Sequence, residues 1–388
     1  MPWQKVLPMD ERMRFISRYE SGVWSMSELC RQFGISRKTG YKWLGRYRAR
    51  GYEGLGERSH RPHESPTRVS EQWVERLVEM RVKHPTWGPK KLRIKLLQKH
   101  GNGVPAASTL GKKLKQLGMV RARKRRWPAV EVPRSRQAPT RSNEVWGVDF
   151  KGWFRLGDGS RCDPLTISDL YSRYVLCCEA LGGQSFELVR PVFEKIFQRH
   201  GMPERLRMDN GTPFASTGVG RFSRMSLWWK GLGITLEYIE PGCPEQNGVH
   251  ERMHRTLKAE ATKPPADTMG GQQRRFDQWR EQFNQERPHE ALGQRVPAIL
   301  YERSERAYTG EVQEARYGLG YALRRVRSNG QIKWCGQLRF ISETLSGELV
   351  AVREREAERY EVWYREVLLG QLVGRGKEKL EAMERRGA

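Results

Sequence analysis

A five-residue run, HERMH at positions 250–254, has the most immediate chemical meaning in the sequence. On a helix it places two histidines one turn apart, with Glu251 beside them, which is the pattern of a zinc metalloprotease. Such a site needs a third protein ligand. The metzincin extension is absent, because Leu257 and Glu260 stand where glycine and histidine belong. Glu281 could still serve as a gluzincin ligand, so the motif alone leaves a protease open.

Three acidic residues offer a different chemistry, because each occupies a place where carboxylates can converge. Asp149 lies in a predicted strand, Asp209 ends another, and Glu251 lies on the helix after a proline-containing loop. Carboxylates on strand ends and a nearby helix can hold two Mg²⁺ ions, which keep water or phosphate oxygens in their other positions. Two such ions about 3.5–4 Å apart stabilise both the attacking and the leaving oxygen of a phosphoryl displacement.

Positive charge is concentrated in the first third of the chain. The 388 residues carry a net charge of +26, and residues 1–141 hold 33 Lys and Arg against 11 Asp and Glu, which is +22. A segment this basic repels itself unless a polyanion neutralises it. Nucleic acid is therefore the predicted partner.

A helix-turn-helix pattern lies in WSMSELCRQFGISRKTGYKWLGRYRAR. Ser25 and Glu28 form a capping box that opens one helix, a glycine turns the chain, and Ser36 caps a second helix. In this motif the second helix enters the DNA major groove. The candidate DNA contacts on it are Arg37, Lys38, Tyr41, Lys42 and Arg46.

Three further helices are predicted, near 70–83, from Pro89 onward and near 106–117, and they form a second helix-turn-helix unit. A basic run, RARKRRW, follows them and could track a phosphate backbone. The predicted domains in this part are a helix-turn-helix domain at 1–60, a second at 66–126 and a basic linker at 127–141.

From residue 143 the pattern changes to strands that alternate with helices, which indicates an α/β domain at 142–305. Short strands then predict a small β-barrel at 319–374, with a hairpin turn signal at Asn329 and Gly330. The predicted fold class is multidomain α/β. It has N-terminal helix-turn-helix units, a central α/β core and a C-terminal small β-barrel.

Membrane and secreted classes are disfavoured. No stretch approaches the roughly 20 apolar residues of a membrane helix, and the N-terminus lacks the features of a signal peptide. The six cysteines have no regular spacing, which favours free thiols in a reducing cytoplasm. We therefore expect a cytoplasmic, nucleoid-associated protein with no membrane partner and no small-molecule substrate.

The ordered set WGVDF, MDNGTPF and PEQNGVHERMHRTLK resembles the catalytic core of DDE-type bacterial insertion-sequence transposases and retroviral integrases. The N-terminal helix-turn-helix pair and the C-terminal barrel are similar to that architecture too, so the resemblance spans nearly the whole chain. It implies a ribonuclease-H-like core in which Asp149, Asp209 and Glu251 are the catalytic residues and the ligands of two Mg²⁺ ions, with Mn²⁺ able to substitute.

The function implied by the resemblance is transposition. The protein would bind the ends of a mobile DNA element, cleave them and join the 3′-OH ends to double-stranded target DNA. It would work as a homo-oligomer on the DNA.

The third acid has two candidates. The family commonly has 35 residues between the second Asp and the Glu, which fits Glu245, whereas 41 residues separate Asp209 from Glu251. Glu251 is preferred because the preceding Pro, Gln, Asn and Gly follow the family order, and a loop in STGVGRFSRMS accommodates six extra residues. Arg255 and Lys258 share its helix face and could bind DNA phosphates. An acid at Glu245, where the helix opens, is favoured by the helix dipole alone.

Two other functions stay open at this point. One is a DNA-binding regulator with an inactive integrase-like core. The other is the zinc metalloprotease, which leaves the basic first third and the helix-turn-helix units unexplained. In the transposase hypothesis His250 and His254 are expected to flank the DNA, and Trp228 and Trp229 to lie in the core.

Overall fold

A computed structural model describes residues 8–57, 69–120, 138–240, 243–374 and 380–381 of the chain. The chain forms two compact units, Met1–Val69 and Ser70–Ala388. Most of the predicted linker at 127–141, and the RARKRRW run before it, lie outside the described residues. Within the described ranges, no helix is both long and apolar enough to span a bilayer.

The first unit contains the predicted helix-turn-helix together with a helix that precedes it. Its helices are α1 at Pro8–Glu20, α2 at Met26–Gln32 and α3 at Arg37–Arg50. The capping box of Ser25 and Glu28 is present, and the Ser36 side chain accepts a hydrogen bond from the Thr39 amide. Helix α1 was not predicted. It buries only two side chains, Phe15 and Ile16, so its apolar signal is short.

Packing in the first unit depends on a close approach at Gly40 of α3. A Cβ atom there would lie 2.6 Å from Cys30 Sγ and 2.8 Å from Met26 Sδ, both on α2. Such distances are too short for real contacts, so any side chain would push α2 and α3 apart. Gly40 therefore fixes how closely the two helices of the motif pack.

We expect Gly40→Ala to destabilise the first unit by about 1–3 kcal/mol, because overpacking forces side chains or backbone to shift. Gly45→Ala is the matched control on the same helix. Nothing lies within 4 Å of its added Cβ, so it should be neutral or stabilise α3 by up to about 1 kcal/mol. Hydrogen exchange of the α1–α3 amides in the full-length protein measures both effects. Equal exchange rates in the two variants would contradict the packing argument.

The second unit begins with three helices at the predicted places, α4 at Glu71–Lys83, α5 at Pro89–His100 and α6 at Ala107–Gln116. Helix α5 and the turn before it dock on the α/β core. Lys90 Nζ lies 2.5 Å from Glu290 Oε1, and the Thr86 hydroxyl bonds to Glu260. Burial lowers the pKa of Lys91 to about 8.

The α/β core is a mixed sheet with strand order β2-β3-β1-β5-β6, in which β4 also pairs with β3. The β1–β3 and β3–β4 pairs are antiparallel, whereas the β1–β5 and β5–β6 pairs are parallel. This is the expected ribonuclease-H-like architecture. The strands are β1 at Val145–Phe150, β2 at Phe154–Arg155, β3 at Arg161–Asp169, β4 at Val175–Leu181, β5 at Arg205–Met208 and β6 at Thr235–Tyr238.

Helices cover both faces of this sheet. They are α7 at Phe186–His200, α8 at Arg224–Gly231, α9 at Gly248–Ala261 and α10 at Met269–Glu281. One apolar cluster joins α7 and α8 to the sheet and contains Trp228 and Trp229, as predicted. Another joins α9 and α10 to the sheet. Because successive residues of a strand point to opposite faces, Trp146 and Val148 face α7 and α8 while Asp149 faces α9.

The C-terminal segment forms sheets around one apolar core where a small β-barrel was expected. The four-stranded sheet has the order β12-β11-β10-β7, and β8 and β9 pair separately. The Asn329–Gly330 turn is present, but the strands it connects, β7 and β8, pair with other partners. These strands are β7 at Ala322–Arg325, β8 at Gln331–Trp334, β9 at Gln337–Phe340, β10 at Leu349–Glu356, β11 at Arg359–Tyr364 and β12 at Val367–Val373.

The segment STGVGRFSRMS, at 216–226, packs against this C-terminal core. Phe222 in its middle is 3% exposed and belongs to the same apolar cluster as Leu369 of β12. The segment is irregular as far as Ser223 and enters α8 at Arg224, and the six-residue insertion stays a prediction. The segment also connects the α/β core to the C-terminal sheets.

Candidate active site

Strand β1 places Asp149 at one edge of the central sheet. Asp149 is paired across the antiparallel β1–β3 ladder with Thr166, and Gly147 is paired with Ser168. These four residues alternate with core residues, so their side chains share the face that α9 covers. Asp149 therefore lies between the sheet and the helix that carries Glu251.

Asp209 follows β5 directly, and β5 lies parallel and adjacent to β1. Because parallel strands end at the same edge of a sheet, Asp209 lies beside Asp149. The amide of Gly211 donates to Asp209 Oδ1 at 3.0 Å. The turn is held further by Asn210, whose side-chain amide donates to the Ile239 carbonyl at 2.7 Å and accepts from Arg221.

Helix α9 brings Glu251 to the same edge. Its first residue is Gly248, and the preceding Asn247 directs its side-chain amide at Asp149 Oδ2, 3.4 Å away. Glu251, Arg255 and Lys258 are all exposed and share one face, at the predicted spacing. The opposite face of α9 is buried on the sheet.

The other two acids act on the charge of Asp149. Burial first, then the charge of Asp209 and to a smaller extent that of Glu251, raise the pKa of Asp149 to about 7, against the opposing effects of the Phe150 amide and of Lys151. Repulsion of this kind is relieved by a bound cation, and oxygen donors are those that Mg²⁺ prefers. Among the described residues, however, no three His, Cys, Asp or Glu side chains are close enough to form a metal cluster as placed.

The two histidines of HERMH are buried against the sheet, so the expectation that they flank bound DNA was wrong. His250 is 0% exposed and His254 is 6% exposed, because they share the buried stripe of α9 with Met253 and Leu257. Burial lowers the pKa of His250 to about 3 and that of His254 to about 2, so both rings are neutral.

Both histidine rings are already engaged by the sheet. His250 Nε2 lies 2.7 Å and His254 Nε2 lies 2.6 Å from the Thr166 hydroxyl oxygen. His250 Nδ1 lies 3.1 Å from the Ser168 hydroxyl. A zinc ion would have to displace these bonds inside a packed interface, so the geometry disfavours the protease hypothesis.

The predicted DNA contacts of the first unit lie together on α3. Arg37, Lys38, Tyr41 and Lys42 are exposed, whereas Arg46 is partly buried with its guanidinium 4.9 Å from the Trp43 ring. These residues form a basic surface on the first unit.

Two residues near the acids were missed in the sequence. Lys151 acts on the charge of Asp149, and Thr166 contacts both histidines. A signal for Thr166 existed, since Thr and Ser alternate with apolar residues in the otherwise buried strand PLTISD. Polar side chains inside a buried strand need partners.

Acids at the ends of two adjacent parallel strands and on the helix beside them, in a ribonuclease-H-like core, define an integrase-type core. Family models agree. Two Integrase core domain models match residues 139–244 and 232–297, a Helix-turn-helix domain matches 11–63 and a Homeodomain-like domain matches 39–114. The chain therefore carries an integrase core and helix-turn-helix domains, and the predicted resemblance is confirmed.

Relatives of the chain occur in bacterial insertion elements. The 31.7 kDa protein of insertion element IS407 from Burkholderia multivorans is 26% identical over 235 residues, which cover 60% of this chain and 82% of that protein. The 39.2 kDa protein of IS476 from Xanthomonas euvesicatoria is 27% identical over 270 residues, covering 68% and 74%. Among solved structures, the HTLV-2 integrase catalytic core in complex with magnesium is 14% identical and covers 42% of this chain and 99% of that one, with a TM-score of 0.34.

The raised pKa of Asp149 predicts a stability that depends on pH in the metal-free protein. A carboxyl group whose folded-state pKa exceeds its usual 3.8 stabilises the fold fully at low pH, and that contribution is lost as pH rises to about 7. Asp149→Asn removes this decrease in unfolding free energy, because an amide does not ionise. We expect the variant to exceed the wild type in unfolding free energy at pH 8 by about 1–4 kcal/mol. Urea unfolding from pH 4 to 8 with a chelator measures it.

Asp277→Asn is the matched control, because the Asp277 side chain is 50% exposed on α10. Its curve should follow that of the wild type. If the Asp149→Asn and wild-type curves run parallel across this pH range, burial and repulsion do not act on Asp149 as described.

Proposed function

We propose that the protein is a transposase that binds the ends of a mobile DNA element, cleaves them and joins the resulting 3′-OH ends to target DNA. One observation carries this proposal. Asp149 and Asp209 follow one another across two adjacent parallel strands, and α9, which carries Glu251, begins beside Asp149, where the Asn247 amide reaches the Asp149 carboxylate. The integrase core and the relatives in insertion elements support it.

The three carboxylates are the proposed ligands of the cofactor. Two Mg²⁺ ions held there, or Mn²⁺ in their place, would stabilise the attacking and leaving oxygens of a phosphoryl displacement. The chain's own contribution is to hold the acids. Asn247 directs its amide at Asp149, and the Gly211 amide donates to Asp209. Both contacts orient a carboxylate without neutralising it.

The proposed reaction has two displacements at the same acids. In the first, water forms a bond to phosphorus at the element's end and the 3′ oxygen leaves, giving a 3′-OH. In the second, that hydroxyl attacks a target phosphodiester and displaces its 3′ oxygen. No covalent bond to the protein forms, so no Ser or Tyr nucleophile is required.

Basic side chains on two surfaces are proposed to bind the DNA. Arg255 and Lys258 extend from α9 on the face of Glu251, where they would hold phosphates next to the acids. Helix α3 would read base edges in the major groove. One chain offers one set of acids while an element has two ends, so we propose a homo-oligomer on DNA. With DNA as its partner, its proposed location is the cytoplasm, on the nucleoid.

A DNA-binding regulator with an inactive core is the second candidate, because every DNA-binding feature above would serve it equally. Nicking of DNA that carries the element's ends separates the two. Nicking that requires Mg²⁺ or Mn²⁺ supports the transposase, and sequence-specific binding without nicking at any metal concentration supports the regulator.

We expect Glu251→Gln to reduce strand transfer by at least 100-fold while DNA binding is kept, because a neutral amide is a poor ligand for a hard cation. Glu245→Gln is the matched control, six residues earlier in the chain, and should stay within about threefold of the wild type. A strand-transfer assay with labelled element ends measures both, and a gel shift checks binding. An inactive Glu245→Gln beside an active Glu251→Gln would show that the third ligand is Glu245.

Alanine at Lys38 or Lys42 should weaken binding to the element's ends and lower the preference over scrambled DNA, because these exposed side chains start the proposed recognition helix. Arg14→Ala removes a comparable charge on α1, where the side chain is 66% exposed, and should leave the preference unchanged. Gel shifts at several salt concentrations measure both, since affinity falls as counterions are released. An unaltered preference in both α3 variants would argue against α3 as the reading helix.

A further inference from the structure

The Thr166 hydroxyl joins the strand that carries Asp149 to the helix that carries Glu251. Its oxygen lies 3.0 Å from the Asp149 carbonyl oxygen and within 2.7 Å of the Nε2 atoms of both His250 and His254. Thr166 is also the direct cross-strand partner of Asp149. One small polar group therefore contacts the backbone of one acid and two side chains that flank the other acid in sequence.

The rings fit closely against the sheet. A Cβ atom at Gly147 would lie 2.9 Å from His250 Nδ1, so only glycine on β1 leaves space for that ring. Ser168, the cross-strand partner of Gly147, bonds to the same nitrogen. The position of α9 over β1 and β3 is therefore set by closely packed contacts that leave no space for a larger side chain at Gly147.

The hydrogen bonds determine where the protons are. A hydroxyl has one proton to donate and two lone pairs. The Asp149 carbonyl can only accept, so all three contacts of the hydroxyl are hydrogen bonds only when the Thr166 proton goes to that carbonyl. Both histidines must then donate from Nε2. A neutral imidazole carries one N–H, so Nδ1 of each ring bears no proton and His250 Nδ1 accepts from Ser168.

This arrangement has a consequence for Asp149. His254 Nδ1 lies 3.7 Å from Asp149 Oδ2. With its proton on Nε2, His254 presents a lone pair to that oxygen and cannot donate to it. The other tautomer would place an N–H against the carboxylate and compete with a cation for the same negative charge.

We propose that Thr166, His250 and His254 are positioning residues that fix α9 over β1 and hold His254 in the Nε2–H tautomer, which keeps Asp149 Oδ2 free for a divalent cation. The proposal rests on the proposed function for its meaning in catalysis. Its structural content is independent of turnover. In this proposal the two histidines of HERMH bind no metal. They pack between α9 and the sheet and hold the helix that carries Glu251 in place.

The first test reads the tautomers in the wild-type protein and uses variants only to assign the signals. Selective ¹⁵N-histidine labelling of the full-length protein reports the tautomer of each ring, with signals assigned by their loss in His250→Asn and His254→Asn. We expect Nε2–H on both residues without metal. A proton on Nδ1 of His254 in the wild type would overturn the proposal.

The second test distinguishes a loss of the Thr166 hydroxyl from a loss of the folded structure. Thr166→Val keeps the branched shape that suits a strand but removes the hydroxyl, and Thr166→Ser restores it. We expect Thr166→Val to weaken Mn²⁺ binding, measured by the electron paramagnetic resonance of free Mn²⁺, by about 10–100-fold, as for other residues that orient metal ligands. Thr166→Ser should recover to within about threefold. In strand transfer, kcat should fall in Thr166→Val while KM for DNA is kept.

Thr256→Val is the matched control. Thr256 lies on α9 itself, and among the residues that the structure describes its hydroxyl bonds to the Arg252 carbonyl alone, within the helix, so Mn²⁺ affinity should not change. Unaltered Mn²⁺ affinity in a folded Thr166→Val would overturn the proposal. A wild type that binds Mn²⁺ with the expected tautomers but never cleaves DNA would instead contradict the proposed function and leave the positioning network supported.

Discussion

The carboxyl group of Asp149 is buried at one edge of the central sheet with Asp209 beside it, and the elements around it must hold it there against the cost of desolvation and the neighbouring charge. Asp149 is held on a buried strand and Asp209 on the turn after the neighbouring strand, so neither can move away without disturbing the core. Glu251 lies on a helix, α9, whose position is set by its buried face through apolar contacts and the histidine pair.

The interface between α9 and the sheet is partly polar near the start of the helix and apolar farther along it. Met253 and Leu257 belong to the apolar cluster on that face, while His250 and His254 meet hydroxyl groups of β3. A polar group in such a place costs stability unless every donor and acceptor is satisfied. Once satisfied, hydrogen bonds specify one register of helix on strand, which apolar contacts alone would not. Precise spacing between acids depends on that register.

The helix also links the acids to the segment before the core. Glu260, near the end of α9, bonds to Thr86 in the turn before α5 and to Arg287 after α10. The group formed by α4, α5 and α6 is therefore attached to the helix that carries Glu251. The loop ending at Phe222 attaches the C-terminal sheets to the chain between Asp209 and α8 in a similar way.

Much of this was determined by the sequence itself. Local signals sufficed for the capped helices of the first unit, for α7 and for the strands of the core, because caps and hydrophobic periods act over a few residues. The order of Asp149, Asp209 and Glu251 indicated the kind of site. Helix α1 and the pairing of β7 and β8 were not predictable locally, because a short apolar stripe and a turn do not specify distant partners.

The environment of the two histidines in HERMH was decided by tertiary structure alone. Spacing puts the two histidines on one face of a helix, but only the sheet beneath determines whether that face meets solvent, a metal or a hydroxyl, because burial and partner atoms come from residues about 80 positions away in the chain.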